Sequence, residues 1–137
     1  GLDLPGVKEF VQRYQEMYPD TGMRVPGNVF YNGYMATKNL LDAIERAGTT
    51  NNIAVIKELE GHVMTAEERM QHNDAVIDPN THQVQQTIYL ATANDAPKED
   101  DDMFKILTQS DPEDVRDQNS IGACNLESYE ETPTFDA

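Results

Sequence analysis

The chain has 137 residues, a length that allows one domain with a hydrophobic core. Its formal net charge of −15 argues against nucleic acid or an anionic membrane as partner, because both would be repelled, and its 38% hydrophobic content without Trp implies a modest core. No run approaches the roughly 18 apolar residues of a membrane span, and the N-terminus, GLDLPGVKEF, lacks the basic and apolar regions of a signal peptide, so the chain reads as mature, cytosolic or a piece of something longer.

Val7, Phe10, Val11, Tyr14 and Met17 recur at helical spacing after Pro5, which predicts a first helix from about Pro5 to Tyr18. Asp20, Gly22 and Pro26 break it into a loop. A long second helix follows over Asn28 to Gly48, with Phe30, Tyr34, Thr37, Leu41, Ile44 and Ala47 on one stripe, Leu40 widening it, and Gly48 as the stop. Its entry, Phe30-Tyr31-Asn32-Gly33-Tyr34, brings three aromatics and a glycine to a helix start, where unpaired backbone N–H groups point outward. That arrangement suits a small polar ligand, and it equally suits packing of the helix onto a sheet.

Thr49, Thr50 and Asn51 offer an N-cap for a short third helix carrying Ile53, Ile56 and Leu59, ended by Gly61. His62 to Asn73 is ambiguous, with a helical turn open to Met64–Met70. Ala75-Val76-Ile77, the turn cluster from Asp78 to His82, and the near-alternating run from Val84 to Ala93 predict a β-hairpin. Beyond Asn94 the chain is acidic. Glu99 to Asp102 reads as a solvated run, Met103 to Leu107 as a short amphipathic turn, Ser110 to Glu113 as the start of another short helix, and the last fifteen or so residues as a weakly ordered tail. Three helices and one hairpin supply too few strands for a covered sheet, so the chain either pairs with a second copy or belongs to a larger polypeptide.

Catalytic and metal motifs are sparse. Cys124 has no partner for an internal disulfide and no grouping of His and Asn around it. His62, His72 and His82 stand ten residues apart, unlike the short spacings of zinc sites, and His82 is expected to stabilise the turn with Asp78. Neither Asp78-Pro79-Asn80 nor Glu99–Asp102 has the glycine and terminal Glu of a calcium loop. Glu67 and Glu68 are adjacent on a polar segment and point apart, and no P-loop, G-x-S-x-G or H-E-x-x-H is present. No catalytic residue, metal site or cofactor is expected.

The helix GYMATKNLLDAIERAG, Gly33 to Gly48, resembles one in the last third of type I periplasmic substrate-binding proteins of the branched-chain amino acid ABC-transporter class. Lys8 to Tyr14 followed by Tyr18-Pro19 resembles the helix and turn before it, Ile53 to Gly61 the next helix, and Asp78 to Gln83 with Val84 to Ala91 that family's Asp-x-x-His-Gln turn and final strand. The resemblance covers residues 5–93. It implies an α/β fold of two lobes joined by a three-strand hinge, a ligand held in the cleft between them, and a periplasmic location. It further implies that the chain supplies only a partial lobe, three helices, a β-hairpin and an acidic C-terminal tail, with residues 1–93 as the ligand-binding portion and 94–137 as an extension. The Ser/Thr and acidic ligand clamps of the family would then lie outside this chain.

One position carries over by the resemblance. The family's pocket aromatic falls on Tyr31, with Asn32 and Tyr34 as neighbouring ligand-binding candidates. The implied partners are an amino acid or related small molecule, the remaining part of the receptor and an ABC permease in the membrane, with homo-oligomers of the fragment as a further expectation. The alternative is a complete acidic adaptor that dimerises through its hairpin edge and apolar helix faces and has no small-molecule ligand. A small hydrolase has no nucleophile–base pair behind it.

Overall fold

The computed structural model describes residues 2–98 and 102–116. Cys124 and the tail of the last fifteen residues lie outside the described residues, as do Glu99, Asp100 and Asp101. The described residues form a mixed α/β structure of four helices and two small antiparallel sheets.

Helix α1 spans Val7–Met17. It starts later than the Pro5 expected from sequence because Gly6 has φ 80, a left-handed conformation that caps the helix instead of continuing it. A Cβ on Gly6 would lie 3.1 Å from Met70 Cγ, so the glycine also lets this end of α1 approach Met70 closely. Helix α2 runs over Asn28–Ala47 and stops at Gly48 (φ 63), whose N–H reaches the carbonyls of Ile44 and Glu45. Helix α3, Asn52–Leu59, is capped as expected by Asn51, whose side chain accepts the Ala54 N–H at 3.1 Å.

The buried stripe of α2 is not the predicted one. Met35, Asn39 and Ala43 are buried, with Tyr31 half-buried one turn earlier, whereas Leu41 on the predicted stripe is 59% exposed. The true stripe is rotated by one residue, about 100° around the helix axis. It has fewer aliphatics than the face it displaces, and a periodicity count cannot see that this is the side where α3 and the strand layer sit. Phe30 and Tyr34 instead meet α1 at its edge. Phe10 lies 6.2 Å from Phe30 and 4.9 Å from Tyr34, and Tyr14 stands edge-on to Phe30 at 4.8 Å.

The ambiguous segment resolves into strand β1, Val63–Met64, and the short helix α4, Ala66–Arg69. Thr65 and Glu68 fix α4 by a reciprocal capping box: the Thr65 hydroxyl accepts the Glu68 N–H, and the Glu68 carboxylate accepts the Thr65 N–H at 2.9 Å. Strand β2, Ala75–Ile77, pairs on one side with β1 and on the other with β3, Val84–Gln85. Met64, Ala75 and Ile77 form the core cluster here, with Leu59 of α3 against it.

The predicted turn is present between β2 and β3. Asp78 is buried, and its Oδ1 accepts the N–H groups of Asn80 and Thr81. His82 serves the turn through its backbone, donating N–H to the Asp78 carbonyl at 2.8 Å. Its ring reaches Glu60 at 2.9 Å, not the Asp78 side chain. The single strand expected over Val84–Ala93 breaks at Gln86-Thr87. Its second part is β4, Ile88–Ala93, which pairs in a separate sheet with β5, Phe104–Ser110, across a bulge at Leu90/Ala91. The segment from Met103 to Leu107 is therefore mostly strand rather than an amphipathic turn. The β-favouring residues Phe104, Ile106 and Thr108 of β5 outweigh the acidic lead-in. Asp111 to Arg116 makes turns, not a helix, since one capped turn does not offset the cost of nucleation.

Candidate functional site

Where the N-terminal ends of α1 and α2 face α4 and β4, they leave a cavity of about 250 Å³. Val7, Phe10 and Val11 line it from α1, Pro26, Gly27, Asn28 and Tyr31 from the entry of α2, and Met70, Gln71 and Tyr89 from the strand side. Gly6 and the left-handed Met70 (φ 51) bring the two sides together. The walls are largely apolar, with a few polar groups at defined points, a composition suited to a small ligand.

Tyr31 is the best-fixed of those groups. Its hydroxyl donates to the Arg69 carbonyl at 2.5 Å, and the Arg69 guanidinium lies 5.8 Å from its ring centroid. Phe10 meets the same ring edge-on at 6.3 Å. Burial pushes the Tyr31 phenol above its usual range, and the nearby Arg69 charge opposes that rise. Arg69 itself is 3% exposed. Its Nη2 donates to Gln86 Oε1, Nη1 approaches the Met64 sulfur at 3.9 Å, and among the described residues Nε has no hydrogen-bond partner and no carboxylate pairs with the group. Burial draws its pKa downward, opposed by Tyr31.

Gln71 contributes a second unsatisfied atom, a buried Oε1 with no hydrogen-bond partner among the described residues. Tyr89 closes this side. Its hydroxyl accepts the His72 N–H at 3.0 Å, and burial raises its pKa.

The three residues singled out from sequence divide. Tyr31 lines the cavity. Asn32 is exposed and donates to the Asn28 side chain at 3.1 Å, and Tyr34 lies outside the cavity against Phe10. Arg69, Gln71 and Tyr89 escaped the sequence reading. Thr65-x-x-Glu68 is a capping-box signature that could have placed Arg69 at the end of a helical turn. Tyr89 stood in the alternating run, but nothing local shows that its side faces α2.

A broader groove of about 730 Å³ lies under the β2–β3 turn, lined in part by His72, Asp74, Asp78, Asp111, Glu113 and Arg116. Among the described residues, three of its four carboxylates have partners: Arg116 Nη2 meets Asp78 Oδ2 at 2.5 Å, Asp74 accepts the Ala66 N–H, and Asp111 accepts from the Asn73 side chain. The Asn80 N–H, then Arg116, hold the Asp78 carboxyl below its usual range against the opposing effect of burial. Among the described residues no three His, Cys, Asp or Glu side chains come together to hold a metal ion.

A family model described as "Periplasmic binding protein" matches residues 1–100. The chain belongs to the periplasmic binding protein family. Neither a curated protein nor a solved structure matches it. The family is one of solute-binding proteins rather than enzymes. No helix among the described residues is long and apolar enough to cross a membrane.

Proposed function

We propose that the chain is part of the solute-binding component of an ABC importer, acting in the periplasm on a branched-chain amino acid or similar small polar ligand without transforming it. The observation that carries this reading is the cavity between the α1–α2 entry and the strand side, with Tyr31 fixed in its wall. Cleft closure would bring the remaining part of the receptor over this wall, so that the ligand stabilises the closed form by touching both at once.

In this reading Tyr31 packs its ring against the ligand, and Asn32 and Tyr34, exposed at the same helix entry, face the remaining part of the receptor. Residues 1–93 are the ligand-binding portion and 94–137 the acidic extension, joined to it where β5 pairs with β4. The described surface supports a missing neighbour, since Val29, Leu40 and Leu41 of α2 are exposed.

Calorimetry with leucine tests the reading. The 137-residue chain alone is expected to bind leucine weakly or not at all, because the clamps for its carboxylate and ammonium groups belong to the remaining part. In a receptor completed with that part, Tyr31→Ala should weaken leucine binding about tenfold or more. Tight binding by the isolated chain would refute the missing-clamp assignment, and an unchanged affinity in the Tyr31→Ala receptor would remove Tyr31 from the site.

A further inference from the structure

We infer that Arg69 is a positioning residue that sets the charge preference of the cavity at Tyr31, so that this wall takes a neutral or apolar group and turns away a cationic one. The inference rests on the reading of the cavity as a ligand site.

Two contacts carry it. The Arg69 carbonyl takes the Tyr31 hydroxyl hydrogen, which fixes the ring and leaves the phenol no hydrogen to donate into the cavity. The Arg69 guanidinium lies 5.8 Å from the ring centroid, so one of the ring's two electron-rich faces already serves a cation. No carboxylate among the described residues neutralises Arg69, and with the group only 3% exposed, water screens its charge little. A second positive charge on the cavity side of the ring would sit roughly 10 Å from the first. At an effective dielectric near 20 that repulsion corresponds to a loss on the order of tenfold in affinity. A neutral group escapes it.

The pair isobutanol and isobutylammonium separates charge from shape, since the two are of similar size and both donate hydrogen bonds. Their dissociation constants are to be read from ring-labelled tyrosine resonances of the 137-residue chain, with Tyr31→Phe supplying the assignment. The wild-type chain should prefer isobutanol. Arg69→Met should shrink that preference by roughly tenfold, and Arg69→Lys, which keeps the charge, should retain most of it. If circular dichroism shows that Arg69→Met does not fold, Arg69→Gln removes the charge while keeping a polar head for Gln86.

Equal weakening of both probes by the neutral variants would show a merely structural role and overturn the inference, as would an unchanged preference. Failure of both probes to move the Tyr31 resonances in the wild-type chain is a different outcome. It removes the cavity as a ligand site, and the inference falls with it.

Discussion

Replacing Tyr31 with Phe removes one oxygen and leaves the aromatic packing against Phe10 in place. The lost group is the donor to the Arg69 carbonyl, which sits at the end of α4 beside a buried guanidinium. A net hydrogen bond contributes about 1 kcal/mol, and leaving its partner buried and unsatisfied raises the cost to about 1–3 kcal/mol. With a urea slope of about 2 kcal/mol/M, the unfolding midpoint should fall by roughly 0.5–1.5 M at neutral pH. The pH dependence gives an independent check. Because burial raises the folded-state pKa of Tyr31, the unfolded chain loses this proton first as pH rises, and stability declines from the unfolded phenol value of about 10 up to the folded value. Tyr31→Phe should remove that part of the alkaline loss, so wild type and variant converge above pH 10. Urea unfolding followed by circular dichroism at pH 7 and at pH 10–11 measures both effects. An unchanged midpoint at neutral pH, or a gap between the two proteins that widens in alkali, would refute the assignment of the Tyr31 hydroxyl to the Arg69 carbonyl.

The rotated stripe of α2 is tested by a pair of variants: Ala43→Leu, at a 0% exposed site, should cost about 1–3 kcal/mol by overpacking, while Leu41→Ser should stay within about 0.5 kcal/mol in the same urea assay. Gly6→Ala places a side chain on a residue with φ 80 and drives a Cβ toward Met70, and should lower stability by about 1–2 kcal/mol with a matching drop in thermal midpoint. Thr65→Ala should remove the cap of α4 and the hydroxyl that donates to the Glu68 carboxyl, while the residue 65 backbone N–H, the larger cause of that group's lowered range, stays. The stabilisation tied to Glu68 is present above the ordinary carboxylate pKa and is lost as pH falls through the lowered folded value, so the variant should show a shallower acid decline. Asp78→Asn should likewise flatten the acid limb while weakening the protein at neutral pH, because the lowered Asp78 carboxyl also anchors Arg116.

Local signals carried the elements that depend on their own ends. Gly48 stopped α2, Asn51 capped α3, and Asp78-Pro79-Asn80 marked the turn between β2 and β3, because each acts through hydrogen bonds or backbone angles within a few residues. The stripe of α2 is illegible in sequence because its buried face is the poorer in aliphatics, with the polar Asn39 on it, and packing against α3 selects that face. β5 is illegible in sequence because its partner, β4, continues the run that the hairpin signal from Ala75 to Ala93 already accounts for. In the candidate site, Tyr31 was legible through the family resemblance, whereas Arg69 was not. A buried guanidinium with no carboxylate partner among the described residues is anomalous in three dimensions and ordinary in sequence, where Arg69 is one more charge after Glu67 and Glu68.

Strand β5 has a consequence for how the protein behaves in concentrated solution. Among the described residues it is paired on one side only, and Phe104 and Leu107 are exposed along it. An open edge of this kind invites another strand, and Lys105 is the one charge within it that discourages docking. The stronger deterrent is the net charge of −15, which keeps copies apart only while it is felt across solution. Raising salt from about 0.1 M to 1 M shortens that reach from about 10 Å to about 3 Å. The chain should therefore be most monodisperse in dilute buffer and associate as salt is added, the reverse of a protein held together by surface ion pairs.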